Sequence, residues 1–467
     1  MCYAIPGKII DVIGKSALID YFGEKKEAYV DVEGVNPGDY VFAQGGVIVE
    51  RLDEDIALSI LSGWNEAFFK LKEIDKRLAE EYPGSFSETF IPQRDTKVDK
   101  NAGQDACPDF LEIIKRTENG LSITKSELLY LLTIKEEGQL KLLYHIANRI
   151  RHKVHKNSSC VHGIIEFSNV CKNDCAYCGI RRENQKLERY RMDIDEIVDT
   201  IISSVSSLGF RAFVLQSGED GFYTTDKLAE IIRKIKERCS VLIFISIGER
   251  DRDCYQELYN AGARGVLFRF ETSNPEIYGN LHTALHYENR LHILRELKDI
   301  GYIISTGSLI GLPGQKEEDI LDDILFASSL EPEMYSFGPF IPHPDTPLAL
   351  APKVDIDMML KVIAVTRLVR HDGNILVTSA LEKLFGIEGT RRALTAGGNS
   401  MMVNLTPQKY RRLYSIYPGK GEGNDDTRKR ISDTVALLQS LGRAPMDIGM
   451  NPHEPSAHKG AWKSPSP

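Results

Sequence analysis

Along residues 161–404 the spacing of apolar positions keeps switching between two periods. Short apolar stretches stand at 162–167, 212–216, 241–247, 265–270, 302–309, 334–340, 374–378 and 400–404. Bounded by turn residues, they read as strands. Between them the repeat is helical. In 194–208, apolar side chains recur at 194, 197, 198, 201, 202, 205 and 208, one stripe of a 3.6-residue period. Eight strand–helix alternations predict a parallel sheet closed as a TIM-type (β/α)8 barrel over residues 161–422. Residues 109–160 form a helical lead-in, with Ser126 expected to cap the helix that carries ELLYLLTI.

The flanks of the barrel have other patterns. Residues 1–58 carry short apolar stretches broken at Gly23-Glu24 and at Asn36-Pro37-Gly38-Asp39. They predict a small all-β, OB-like barrel or sandwich, completed to residue 80 by an amphipathic helix over 59–80. Residues 81–108 are polar and punctuated by Pro and Gly, the composition of a flexible linker. In the last segment, 423–467, residues 425–441 predict one more helix and NPHEPSAHKGAWKSPSP a disordered tail.

Composition narrows the function classes. A net charge of −9 argues against a broad nucleic-acid surface. No apolar run approaches the roughly 20 residues of a membrane span. The opening MCYAIPGKII lacks the basic and apolar segments of a secretory signal, so a cytoplasmic protein is expected. Eight cysteines in 467 residues are no disulfide scaffold. Three of them fall in CKNDCAYC, as Cys171, Cys175 and Cys178, a C-x3-C-x2-C spacing just after the first barrel strand. Catalytic groups gather at that end of such a barrel. A structural zinc site wants four ligands, and the next cysteine is Cys239. Chance clustering and a partial zinc knuckle are the plain alternatives. Three thiolates can instead hold three irons of a 4Fe–4S cluster and leave the fourth iron open to the amino and carboxylate groups of S-adenosylmethionine (SAM). Tyr177, before the last cysteine, can set an aromatic edge near the adenine.

This motif on such a barrel resembles the radical SAM superfamily. The surrounding stretches EFSNVCKNDCAYCGIRREN, ERYRM, LQSGED, RFETSNP, ENRL, GSLIGLPGQ, GPFIPHPDTPLA and TPQKYRRLYSIYPGK resemble, in order over about residues 110–420, the FeFe-hydrogenase maturases of the HydE type. The resemblance implies a SAM site that includes Gln216, Ser217 and Glu219, with Glu271 on the SAM side and Arg290 on its carboxylate. Ser246 and Glu249 would approach the ribose, and the Gly311–Gln315 turn the adenine. Arg269, Thr378, Ser379, Met402, Tyr414 and Tyr417 would line a substrate cavity, the two tyrosines sharing a helix face. His343 reads as structural. The implied activity is cleavage of SAM to a 5′-deoxyadenosyl radical that acts on a cysteine-bound iron precursor of the diiron subcluster. A flavodoxin or ferredoxin would supply the electron, and other maturation proteins would be partners. The alternatives are a radical SAM mutase or thiol-inserting enzyme, like methylornithine or biotin synthase, and a non-catalytic iron carrier.

Two departures bear on this. After YPGK the chain has no cysteine, so no auxiliary C-terminal cluster is expected. Cys107, Cys160, Cys239 and Cys254 do not end strands, which weakens the biotin-synthase-like reading. The N-terminal segments MCYAIPGKII and NPGDYVFAQGGVIVERLDEDIA resemble the HypC-type hydrogenase-assembly chaperones. That resemblance implies Cys2 as an iron ligand, although Gln44 stands where the family commonly has histidine; the plain alternative is a docking module. Joined by a linker, such a module would bring iron to the barrel mouth.

Overall fold

Each of the eight apolar stretches carries a strand. In chain order these are Cys160–Ser168, Ala212–Ser217, Leu242–Ser246, Gly265–Leu267, Ile303–Thr306, Met334–Tyr335, Asn374–Val377 and Ser400–Asn404, and they close into one barrel. The last strand meets the first in parallel, from Ser400 opposite Cys160 to Asn404 opposite Ile164. The computed structural model describes residues 4–81, 109–283, 285–421 and 426–447. No helix among them is long and apolar enough to cross a membrane.

Three expectations change in detail. The stretches at 302–309 and 334–340 each break in two, and Leu309–Ile310 and Gly338–Pro339 form a separate two-stranded sheet. Gly307 marks the break: a Cβ there would lie 2.2 Å from the Ser336 carbonyl oxygen, so only glycine lets the two chains approach. The lead-in is three helices, Phe110–Glu118, Lys125–Thr133 and Glu137–His155. The cap of the second is Thr124 and not Ser126. Its hydroxyl accepts from the Glu127 N–H at 3.3 Å while the Glu127 carboxylate accepts from the Thr124 N–H at 2.8 Å. Ser126 has Leu129 three residues on and cannot complete that reciprocal pair.

The N-terminal strands Gly7–Ile13, Ser16–Tyr21, Glu24–Val30, Tyr40–Gln44 and Val47–Leu52 close a barrel of their own. The helix Glu54–Glu80 starts earlier than the pattern predicts and seats Trp64, Phe68 and Leu71 in a core with Ile19, Tyr21, Val41 and Ile48.

This module does not hang free. Phe42, Val47 and Val49 share one apolar cluster with Ala212, Val214, Leu242 and Phe244, from the second and third barrel strands. Ion pairs of 3.0 Å join Glu50 to Arg211 and Asp31 to Arg264, both just before a strand. The module is therefore fixed to the N-terminal end of the large barrel, opposite the cysteine loop. Among the described residues the module's contacts are with this end of the barrel and not with its mouth, while the predicted linker, from residue 82 on, and the predicted tail at 451–467 lie outside the described residues. The strongest bond of the joint centres on Asp75. Arg151 grips its carboxylate with two bonds of 2.8 and 2.9 Å, Arg443 Nε lies 3.1 Å away, and His152 Nδ1 is at 2.7 Å. Residues 443–447 run between the two barrels. Ala444 and Met446 enter the small core, the Ile5 N–H donates to the Pro445 carbonyl at 3.3 Å, and the Gly46 N–H donates to Asp447 Oδ1 at 3.2 Å.

Replacing Asp75 with alanine leaves Arg151 and Arg443 buried without a counter-charge and should destabilise the chain by about 3–5 kcal/mol, read as a lower urea midpoint at pH 7. Burial alone would raise the Asp75 carboxyl, but Arg151, Arg443 and His152 override it and hold it well below the usual carboxylate range. The unfolded carboxyl titrates near about 3.9. The ionic contribution is thus complete above that pH and is lost as pH falls toward the depressed folded value. The gap between wild type and variant should narrow in titrations at about pH 3.

Candidate active site

The three clustered cysteines are held by a loop with little regular structure, so its carbonyls must find donors elsewhere. Arg189 supplies most of them. Its guanidinium donates to the carbonyls of Asn169, Ile180, Arg181 and Asn184 at 2.7, 2.8, 2.5 and 3.1 Å. The Asn169 amide donates to the Glu188 and Leu413 carbonyls at 2.8 and 2.7 Å. Gly218 lets the second strand's end meet the loop, since a Cβ there would lie 2.3 Å from the Val170 oxygen. The Lys172 N–H donates to the Glu219 carbonyl at 3.0 Å.

So held, Cys171, Cys175 and Cys178 line one cavity of about 590 Å³. Burial pushes all three thiols up, Cys178 to about 12, and neighbouring thiols oppose one another's ionisation. A bound cation would favour their thiolate forms. Among the described residues no three His, Cys, Asp or Glu side chains converge on a single ion. Three sulfurs around a shared space suit a multi-iron cluster.

The cavity also has polar atoms waiting for a partner. Glu271 Oε2 and Arg269 Nε are buried without a hydrogen bond, 3.5 Å from each other. Glu219 Oε2 is buried without one as well, with Lys172 Nζ 3.2 Å away, while its Oε1 accepts from the Glu249 N–H at 2.8 Å. A zwitterionic ligand with an amine and a carboxylate fits this set.

Of the other expected residues, Tyr177, Gln216, Ser217, Ser246, Arg290, Thr378, Ser379, Met402, Tyr414 and Tyr417 all line the same cavity. Glu249 does not. It faces away, and its carboxylate accepts from Arg290 Nη1 at 3.2 Å and Asn289 Nδ2 at 2.6 Å. Arg290 is buried, its guanidinium 4.2 Å above the Phe268 ring. Tyr414 and Tyr417 share no helix face: the helix Gln408–Arg411 ends before them. They reach the cavity from a turned segment, Tyr414 OH accepting from Gln216 Nε2 at 3.2 Å and Tyr417 OH lying 3.0 Å from Ser379 Oγ. Thr378 Oγ1 caps the helix Ser379–Thr395. Tyr177 belongs to an apolar wall with Leu309, Leu312 and Phe340. His282 Nδ1 must donate to the Tyr278 carbonyl at 3.2 Å, so its Nε2 accepts from the Tyr177 hydroxyl at 3.3 Å. Burial pushes His282 down to about 3, which keeps the ring neutral.

The Gly311–Gln315 turn forms as expected, with φ of 88° at Gly311 and 81° at Gly314. His343 is not among the cavity-lining residues, and its Nδ1 accepts from the Asp345 N–H at 3.1 Å. Cys2 and Cys107 lie outside the described residues. Gln44 is buried in the small barrel, donating to the Ala43 carbonyl at 2.8 Å. Cys160 starts the first strand, 2.9 Å from His162 Nε2.

Sequence reasoning missed the ion pair of Glu166 and Lys420. Lys420 Nζ bonds Glu166 Oε1, and Glu166 Oε2 accepts from Asn404 Nδ2 at 2.8 Å. The ammonium lies 4.9 Å from the Tyr414 ring centre. Alternation along the first strand would have turned Glu166 inward with Ile164, but no periodic signal marks Lys420.

Residues 165–327 match the family model described as the Radical SAM superfamily, and residues 1–64 that of the HupF/HypC family. Over 338 residues the chain is 40% identical to the [FeFe] hydrogenase maturase subunit HydE of Thermotoga maritima, covering 72% of this chain and 95% of that protein. It is 28% identical to the 3-methylornithine synthase of Methanosarcina acetivorans, covering 71% and 91%. Among solved structures, methylornithine synthase (PylB) aligns with a TM-score of 0.64 at 26% identity, over 72% of this chain and 98% of that one. The FeFe-hydrogenase maturase HydG from Carboxydothermus hydrogenoformans aligns at 0.62 and 19% identity, over 83% and 84%, a likeness of fold.

Arg189→Met should leave four loop carbonyls short of donors. The expected loss is about 2–4 kcal/mol of stability, seen as a lower melting temperature, with less than about half the wild-type iron retained after anaerobic reconstitution.

Proposed function

The chain belongs to the HydE family of radical SAM enzymes, and on that premise we propose that it helps build the diiron subcluster of FeFe-hydrogenase, acting on a small cysteine-bound iron precursor. The observation that supports this most is the meeting, on one cavity, of three thiols with the unsatisfied Glu271 carboxylate and the buried Arg290 guanidinium. Cys171, Cys175 and Cys178 would hold three irons of a 4Fe–4S cluster. When bound and reduced by one electron, cluster and SAM together supply methionine and a 5′-deoxyadenosyl radical.

The chain's own residues would bind and orient. Glu271 and Glu219 offer buried acceptors to the SAM amino group, with Gln216 and Ser217 beside them. Arg290 would take the carboxylate, its planar fork held in place by Glu249. Glu249 thus acts through Arg290, and Ser246 is left to approach the ribose. Tyr177, Leu309, Leu312 and Phe340 give the adenine an apolar wall and exclude water from the reacting end. Arg269, Thr378, Ser379, Met402, Tyr414 and Tyr417 border the remaining space, where a precursor with both polar and apolar faces would sit. A flavodoxin or ferredoxin would donate the electron, in the reducing cytoplasm. The HypC-like module would contribute contacts with other maturation proteins, with Cys2 its candidate iron ligand. We propose no auxiliary cluster, because no cysteine follows Cys254.

Reconstituted anaerobically with iron and sulfide, then given SAM and dithionite, the chain should release 5′-deoxyadenosine. The Cys171/Cys175/Cys178 triple alanine variant should release none, and wild type alone should restore activity to a lysate lacking this maturase. Turnover of a free amino acid without hydrogenase activation would favour the methylornithine-synthase-like reading instead.

A further inference from the structure

Asp323 lies on the helix Glu317–Ser329, outside the cavity lining, and is fully buried. Among the described residues it has no ion pair; its hydrogen-bond donors are neutral. Oδ1 accepts from the Ser273 N–H at 2.5 Å, the Ser273 hydroxyl at 2.7 Å and the Thr272 hydroxyl at 3.4 Å; Oδ2 accepts from Gln315 Nε2 at 3.1 Å. A carboxylate buried among dipoles alone is costly, and burial raises this one to about 7. What it gains is a grip on two segments at once.

The first segment follows Glu271. That residue holds φ at 68°, a left-handed value that a side chain other than glycine rarely adopts. Thr272 and Ser273, the next two residues, are those Asp323 binds. The second segment is the Gly311–Gln315 turn. Gln315 Oε1 accepts from the Gly311 and Leu312 N–H groups at 2.8 and 3.2 Å, and its Nε2 donates to the Leu309 carbonyl at 3.1 Å as well as to Asp323. The amide therefore has one orientation only: flipped, it would set N–H against N–H. Leu309 lines the cavity, and Leu312 shares the apolar wall with Tyr177. The two segments already touch, since the Leu309 N–H donates to the Glu271 carbonyl at 2.9 Å.

We propose that Asp323 is a positioning residue that sets the spacing between the Glu271 side of the cavity and its Leu309–Leu312 wall, and thereby how tightly SAM is held between them. The inference rests on reading this cavity as the SAM site. Asparagine in place of Asp323 has the same shape but one acceptor fewer, and its NH2 would face either Gln315 Nε2 or the Ser273 donors. Glutamate in place of Gln315 would set a second carboxylate oxygen against Asp323. Together the two changes restore the pairing between positions 323 and 315, the introduced asparagine amide donating to the introduced glutamate carboxylate, while the Leu309 carbonyl is without its side-chain donor in both Gln315→Glu and the double variant.

The test compares Asp323→Asn, Gln315→Glu and the double variant. In cluster-free protein, hydrogen–deuterium exchange of residues 271–275 and 309–315 should quicken about tenfold in Asp323→Asn and slow again in the double variant. In reconstituted protein, equilibrium dialysis with SAM should show binding weakened about tenfold in each single variant, and no weaker in the double than in Gln315→Glu alone. Release of 5′-deoxyadenosine at saturating SAM should stay within about twofold of wild type in Asp323→Asn. Unchanged exchange in both segments, loss of turnover with SAM binding intact, or a double variant as weak as the two losses added would each overturn the proposal. Failure of wild type to bind SAM at all would sink the reading of the cavity, while the exchange data would still report whether Asp323 holds the two segments.

Discussion

A barrel whose core is left hollow cannot leave its inward charges to water, and this constraint orders the whole molecule. Where a TIM-type barrel would normally fill its centre with branched apolar side chains, this one carries Glu166, Arg269, Glu271, Lys420 and, at the rim, Glu219 and Arg290. Each must find an opposite charge or a set of donors. Glu166 finds Lys420 and Asn404, and Arg290 finds Glu249. The carboxylate oxygens that lack a hydrogen bond are those of Glu219 and Glu271, on either side of the cysteine loop's end of the cavity. At both of these positions a charged ligand would complete the pairing.

The same rule explains how the cysteine loop is held. Its order comes from Arg189, a residue outside the motif, which exchanges the hydration of four carbonyls for a fixed fork of donors. Burial raises the thiols it positions, which disfavours three adjacent negative charges when nothing is bound. Metal binding and deprotonation then occur as one event.

What the sequence made legible follows from the range of each interaction. Strand and helix periods depend on near neighbours, and the eight barrel strands and the helix Ile194–Leu208 stand where those periods put them. The cysteine spacing is equally local, and so is the turn built on Gly311 and Gly314. Local rules also misled. Ser126 looked like a cap until the reciprocal pairing of Thr124 with Glu127 took that place, and Tyr414 and Tyr417 were spaced for a helix that stops at Arg411. Long-range pairings left no trace. Nothing in the neighbourhood of Asp75 announces Arg151 or Arg443, and nothing near Lys420 announces Glu166. The docked small barrel was illegible for this reason, since each half of the joint looks like ordinary surface charge until the other half is present.

The strip of chain at 443–447 gives that joint a place in time. The small barrel is made first, and domains generally fold as they leave the ribosome. Yet its bond from Gly46 reaches Asp447, 401 residues later, and the partner of Asp75, Arg443, also lies far downstream. Contacts with Arg211 and Arg264 can form earlier, but the face of the early module stays half-built until the segment 443–447 is present. Until Arg443 and Asp447 are in place, the face that carries Gly46 and Asp75 lacks its closing contacts, so docking of the small barrel is completed only after the strands of the large one have been made.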